Sequence, residues 1–174
     1  MIRIVIDNLL TEEYCNELIK TGEEIGFTSP TVKTPDGEMV RNDIRNNGRV
    51  IIDSPELAEQ LFNMFKEQLP EYIDGWKLKG LNEQLKIYKY DVGQQFKMHK
   101  DVPFIRNEKE RSILTMLIYL NEGYVGGETY FMDGPITPSI GKAVVFQQNV
   151  MHAGMVITEG IKYAIRTDVM YERV

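Results

Sequence analysis

The spacing of apolar positions changes near residue 76, and that change organises the chain. Before it, Ile2, Ile4 and Ile6 alternate with Arg3 and Val5, which predicts a strand over residues 2–7. Thr11 is a good N-cap, and Glu12 and Glu13 suit the positive end of a helix dipole. A helix is expected from there to about Gly26, burying Cys15, Leu18, Ile19 and Ile25. Ser54-Pro55-Glu56 starts a second helix, with serine as cap and proline at the first helical position. Its stripe is Leu57, Leu61, Met64, Phe65 and Leu69, and it is expected to span Pro55–Leu69, closed by Pro70. Both read as packing helices. Between them, residues 28–48 carry the turn signals Thr28-Ser29-Pro30-Thr31 and Pro35-Asp36-Gly37. A polar run with three arginines, Arg41, Arg45 and Arg49, follows. Long stretches without periodicity often serve as lids or binding loops.

From about residue 76 the period is two. Leu85 and Ile87 alternate with Lys86, Tyr88 and Tyr90, and Phe96–Asp101 alternates again after the turn Asp91-Val92-Gly93-Gln94. Ile113–Asn121, Thr129–Phe131, Lys142–Gln147, His152–Ile157 and Ile161–Tyr171 read as further strands. Residues 102–110 and 132–140 read as loops, and Trp76 as a packing residue. Seven or eight short strands with turns between them predict a sandwich or barrel, so the fold class is mostly β with flanking helices. One domain is expected over residues 1–174, with N-terminal helical support over about 1–75 and a β core over about 76–174.

Composition narrows the setting. A net charge of −6 argues against non-specific nucleic-acid binding, so no nucleic-acid partner is expected. The single cysteine, Cys15, permits no internal disulfide and reads as a buried, inert thiol. The first residues lack the pattern of a secretory signal, and no apolar run reaches the roughly 20 residues that span a bilayer. No membrane association and a reducing, cytoplasmic setting are the expectations.

The candidate chemistry lies in Tyr90–Asp101, which ends in His-x-Asp. The chain has two histidines, His99 and His152. If Phe96–Asp101 is a strand, His99 and Asp101 point to one side and can converge on one metal ion. His152 would complete two histidines and one carboxylate, the facial triad that leaves positions open on a non-haem Fe(II). A complete set of strands separates the histidines, so they could meet across a barrel. Ten residues after His152 comes Lys162, on a strand whose alternate positions are Ala164 and Arg166. An inward-facing cation there would need an anionic partner.

These segments resemble the prolyl 4-hydroxylase-like branch of the Fe(II)/2-oxoglutarate-dependent dioxygenases. The resemblance rests on Tyr90-x-x-Gly93-x-x-Phe96-x-x-His99-x-Asp101, Arg111 with Leu114–Asn121, Gly126-Gly127-Glu128-Thr129, Gly141-x-Ala143-Val144-Val145-Phe146, and His152 with Gly160-x-Lys162. It covers roughly residues 85–171 and extends more weakly over residues 6–15 and 43–47. It implies a double-stranded β-helix core, jelly-roll or cupin-like. It implies His99, Asp101 and His152 as Fe(II) ligands, and Lys162 as partner of the distal carboxylate of 2-oxoglutarate. Tyr90 and Thr129 would bond that cosubstrate, with O2 as the second cosubstrate and ascorbate as a candidate reductant. The 28–48 loop would cover the substrate, with Arg45 a candidate contact. The sequence leaves open whether Lys162 or Arg166 grips the cosubstrate, since a guanidinium can bind a carboxylate bidentately.

The implied reaction decarboxylates 2-oxoglutarate to succinate and CO2 and hydroxylates an unactivated C–H bond. The implied substrate is a prolyl residue in a peptide or protein, with a small molecule such as a free amino acid as the alternative. Two readings of other classes stay open: a zinc-dependent hydrolase using the same three ligands, and a metal- or ligand-binding sensor without turnover.

Overall fold

Strand Lys162–Arg173 is the spine of the molecule. In this computed structural model, which describes residues 1–34 and 37–173, it pairs antiparallel along one side with Glu110–Tyr119. Its other side is shared: Lys162–Arg166 pairs with Gln84–Tyr90, and Val169–Arg173 with Trp76–Leu81. Ala143–Gln147 and then Arg3–Ile6 extend the sheet beyond Glu110–Tyr119, and Gly48–Asp53 extends it beyond Gln84–Tyr90. With the short strands Tyr72–Ile73 and Ile105–Asn107 this makes a nine-stranded main sheet. A smaller sheet of four runs Gly134–Ile136, Thr129–Phe131, His152–Gly154, Phe96–His99. The two sheets face each other across a cavity, the jelly-roll arrangement expected from the sequence.

Alternation along the strands sorts side chains onto the two faces of the main sheet. Leu85, Ile87, Leu114, Met116, Ile118, Val145 and Ile165 pack into one core with helix α1 (Glu12–Ile25) and helix α2 (Pro55–Phe65). The intervening Lys86, Tyr88, Tyr90, Thr115, Leu117, Lys162, Ala164, Arg166 and Asp168 line the cavity. The helices start as expected: Thr11 Oγ1 accepts from the Tyr14 amide and Ser54 Oγ from the Leu57 amide. Cys15 is fully buried in α1, and burial pushes its thiol up to about 11, so it is unreactive at neutral pH.

Several expectations need correction. Ile25, the last residue of α1, is exposed. Met64 is also exposed, and α2 ends at Phe65, where a 3₁₀ turn Lys66–Gln68 takes over. The stretch expected as loop over residues 28–48 holds a small hairpin, Val32–Thr34 with Gly37–Met39. Pro35 and Asp36, read as its turn, lie outside the described residues. Residues 102–110 and 132–140 contain the strands Ile105–Asn107 and Gly134–Ile136. The first 75 residues supply Arg3–Ile6 and Gly48–Asp53 to the main sheet as well as both helices. The expected division near residue 75 therefore runs through that sheet. No helix among the described residues is long and apolar enough to cross a membrane.

Candidate metal centre and its cavity

All eight side chains singled out from the sequence, Arg45, Tyr90, His99, Asp101, Thr129, His152, Lys162 and Arg166, line one cavity of about 360 Å³ between the sheets.

The two histidines meet differently from the expected approach across a barrel. They are direct register partners on neighbouring strands of the small sheet, His152 opposite His99. Their side chains therefore share a face, and their rings lie 4.3 Å apart. Asp101 also departs from expectation. Its strand ends at His99, and Asp101 sits two residues beyond, in coil, held by its amide bond to Gln148 O at 3.0 Å. It still joins the histidines, since one ligand atom from each of His99, Asp101 and His152 falls within 4.8 Å of the others.

Each imidazole is oriented from behind. His99 Nδ1 lies 2.7 Å from Lys97 O, and His152 Nδ1 lies 3.0 Å from Val150 O. A carbonyl only accepts, so both Nδ1 atoms carry the proton and both Nε2 lone pairs face the centre, the tautomer a metal requires. Their Nε2 atoms are each 3.7 Å from a carboxylate oxygen of Asp101, His99 from Oδ1 and His152 from Oδ2. Burial lowers the His152 pKa, favouring the neutral ligand form. Burial alone would raise Asp101, but Arg166, the histidines and Thr115 together hold its carboxyl well below the usual range. A neutral His152 beside an ionised Asp101 suits a divalent ion. The three residues fit Fe(II).

Around Asp101 lies a network that sequence reasoning missed. Thr115 Oγ1 donates to Asp101 Oδ2 at 2.5 Å. Arg166 Nη2 lies 3.2 Å from the same oxygen and 3.0 Å from Asp168 Oδ1. Gln148 Nε2 donates to Asp168 Oδ1 at 2.8 Å, and Ser112 Oγ to Gln148 Oε1 at 2.9 Å. Oδ2 of Asp101 is thus fixed from the main sheet while also facing His152, and Oδ1 faces His99. Two signals could have revealed this: Thr115 is a polar position inside an apolar run, and Asp168 lies on the same strand face as Lys162 and Arg166.

Lys162 is in a different situation from Arg166. It is buried, it donates to Gly127 O, and its ammonium lies 5.2 and 5.3 Å from the ring centres of Tyr90 and Tyr119. No described carboxylate forms an ion pair with it. Burial brings its pKa down to about 8, with Glu128 acting the other way. Thr129 Oγ1, accepting from Tyr119 OH at 2.6 Å, is buried beside it, and burial pushes Tyr90 up to about 12. Gly127 makes this approach feasible: at φ +70°, a Cβ there would stand 2.4 Å from Ile157 Cδ1 and 3.2 Å from Lys162 Cδ. A buried, unpaired cation among hydroxyls fits one carboxylate of a dicarboxylate such as 2-oxoglutarate.

Comparisons with known proteins agree with this geometry. Residues 85–167 match the 2OG-Fe(II) oxygenase superfamily. A probable prolyl 4-hydroxylase 8 of Arabidopsis thaliana is 28% identical over 136 residues, which take in 73% of this chain and 43% of the plant protein. A putative prolyl 4-hydroxylase of Acanthamoeba polyphaga mimivirus is 26% identical over 181 residues, 91% of this chain and 70% of the viral one. The chain thus spans less than half of the plant relative. A Trichoplax adhaerens prolyl hydroxylase, solved with a hypoxia inducible factor oxygen degradation domain peptide fragment, superposes with a TM-score of 0.73 at 17% identity. That match covers 98% of this chain and 83% of the other, and it shows the shared fold.

Proposed function

We propose that the chain, whose residues 85–167 match the 2OG-Fe(II) oxygenase superfamily, is a 2-oxoglutarate-dependent dioxygenase that hydroxylates a prolyl residue in a peptide or protein. 2-Oxoglutarate would be decarboxylated to succinate and CO2 in the same cycle. The observation that carries this reading is one cavity holding both the His99, Asp101, His152 group and the unpaired, buried Lys162. A zinc hydrolase would have no task for Lys162. A peptide substrate is supported by the mimivirus relative's description and by the peptide in the Trichoplax complex. Ascorbate as reductant and a cytoplasmic setting belong to the same proposal.

Fe(II), when bound, supplies the centre at which 2-oxoglutarate and O2 are activated. The protein's residues do the rest. His99 and His152 present Nε2, with Lys97 O and Val150 O fixing the ring planes. Arg166 and Thr115 hold one oxygen of Asp101 and keep the group ionised. Lys162 receives the distal carboxylate of 2-oxoglutarate, with Tyr90 and Thr129 beside it. That contact orients the cosubstrate, so the Arg166 guanidinium, already taken by two acids, is not the main anchor. Leu117, Phe146 and Ala164 give the cavity apolar walls that limit water. Arg45 lines the same cavity, stacked between Tyr88 and Phe96, and is the candidate substrate contact.

The test is turnover. With Fe(II), 2-oxoglutarate and O2, proline-containing peptides are expected to gain one oxygen atom by mass spectrometry, with matching succinate. No succinate above that of a His99→Ala control, across a varied peptide set, would overturn the reading.

A further inference from the structure

Away from Lys162 the cavity carries more positive charge than its own acids use. Lys162 pairs in register with Tyr90, while Arg166, four residues on, pairs with Lys86, so these two pairs mark different ends of the cavity. Besides Lys162 the lining includes Arg45, Lys86 and Arg166 against two acids, Asp101 and Asp168. Those acids are taken. Both bind Arg166, and Asp168 also accepts from Gln148. Lys86 has only a long ion pair with Asp168 Oδ2, at 3.9 Å, beyond hydrogen-bond range.

Arg45 is the clearer case. Its guanidinium is stacked between the rings of Tyr88, at 4.3 Å, and Phe96, at 4.5 Å, and only 6% of the residue is exposed. Nε donates to Asn47 Oδ1 at 2.7 Å, but Nη2 is buried with no partner among the described residues. Phe96 in turn stacks on His99, with ring centres 3.5 Å apart, so the orphaned Nη2 belongs to a group one ring away from the metal ligands. A buried donor of a charged group left unsatisfied is costly. The phenol of Tyr88, which burial alone would raise, is instead lowered by Arg45, Arg166 and Lys86. The chain as a whole is at −6, so this positive field is a property of the cavity alone.

We infer that the molecule this chain acts on presents a carboxylate to Arg45 and Lys86, next to the carbon that is hydroxylated. This rests on the oxygenase reading, in which 2-oxoglutarate occupies Lys162 and leaves these two cations to the substrate. The carboxylate has two sources, an aspartate or glutamate beside the target proline, or the α-carboxylate of a terminal or free proline.

The test measures binding rather than turnover, by calorimetry on protein loaded with Mn(II) and 2-oxoglutarate under nitrogen. Two matched pairs serve as probes. Capped Gly-Glu-Pro-Gly is compared with capped Gly-Gln-Pro-Gly, and acetyl-Gly-Pro acid with its amide. At least one acid is expected to bind about tenfold or more tightly than its neutral twin, about 1.4 kcal/mol, and the pair that discriminates identifies the source. Lys86→Met and Arg45→Gln are each expected to reduce that preference, and Arg45→Lys to keep more of it, with 2-oxoglutarate affinity unchanged as the check on folding. Equal affinity within both pairs, no binding of either acid, or variants that weaken 2-oxoglutarate instead of the acid would overturn the inference and leave the oxygenase reading standing. Failure of the wild-type protein to bind 2-oxoglutarate at all would remove both.

Discussion

The two faces of the main sheet are built from the same strands and do opposite work. On Glu110–Tyr119, Leu114, Met116 and Ile118 face α1 and α2, while Thr115 and Leu117 face the cavity. On Gln84–Tyr90, Leu85 and Ile87 face the helices, and Lys86, Tyr88 and Tyr90 the cavity. The helix face buries aliphatic side chains and needs no partner chemistry. The cavity face buries charge, and every charge there must be matched by a neighbour or by a ligand. Where a neighbour matches it, as Asp101 and Asp168 match Arg166, the residue is part of the scaffold. Where none does, as at Lys162, the sheet is open to a ligand, and Arg45, from the segment before Gly48–Asp53, is a second such cation in the cavity.

The contrast predicts separable losses. The largest belongs to Asp101→Ala, which should abolish metal-dependent turnover, by more than the roughly 10–100-fold typical of outer partners. Its thermal midpoint should also fall below that of the metal-free wild type, as read by calorimetry, because buried Arg166 loses a partner. Leu114→Ala, one residue from Thr115 but on the other face, should cost about 2–5 kcal/mol of stability in urea titrations. The protein that remains folded should bind Mn(II) as tightly as wild type. A metal defect in this variant would break the division between the faces.

Lys162→Ala should weaken 2-oxoglutarate by about 1.5–3 kcal/mol, the range for hydrogen bonds to charged groups, with metal affinity kept. Arg166→Lys should do the reverse, loosening Mn(II) about 10–100-fold through Asp101 while leaving 2-oxoglutarate near normal. Equal effects of the two on 2-oxoglutarate would mean that they share the anchor.

Lys162 also sets a pH dependence. Its pKa in the empty protein is about 8, against an ordinary 10.5. A bound carboxylate favours the charged form, so above pH 8 binding must take up a proton. Affinity for 2-oxoglutarate should then fall as pH rises past 8, by up to about tenfold per unit. Calorimetry in two buffers of different ionisation enthalpy would register the proton. The unfolded lysine keeps its proton to higher pH than the folded one. The same group therefore adds stability to the empty protein as pH rises from 8 toward 10.5, and adds none below 8. Smallest of all, Thr115→Val removes one hydrogen bond to Asp101 and should cost about 0.5–1.5 kcal/mol in metal affinity.

Much of this was legible in the chain because a period of two assigns faces directly. The alternation of Leu85 and Ile87 with Lys86, Tyr88 and Tyr90 named both surfaces of a central strand, and the placement of Lys162 and Arg166 on one face followed from their spacing. What escaped depends on pairing between distant segments. That His152 lies opposite His99 is a matter of register between strands some fifty residues apart, and nothing local encodes it. Asp101 reaches the metal group from coil because its amide is caught by Gln148 O, a contact 47 positions away. The hairpin at Val32–Met39 has strands of three residues, too short to show a period. Ile25 and Met64 sit at or next to the last residue of their helices, where an apolar residue on the predicted stripe stays exposed. That Arg166 has two acidic neighbours was half legible, since Asp168 shares its strand face, whereas Asp101 reaches it only in the fold.

The central claim is that one cavity holds a metal on His99, Asp101 and His152 and 2-oxoglutarate on Lys162. Titrating Fe(II) and 2-oxoglutarate together into the protein without oxygen tests it most directly, by the visible charge-transfer absorption of their complex. A saturable band is expected in the wild type, absent in Asp101→Ala and shifted to higher 2-oxoglutarate concentration in Lys162→Ala. No band in the wild type, or a band indifferent to both substitutions, would contradict it.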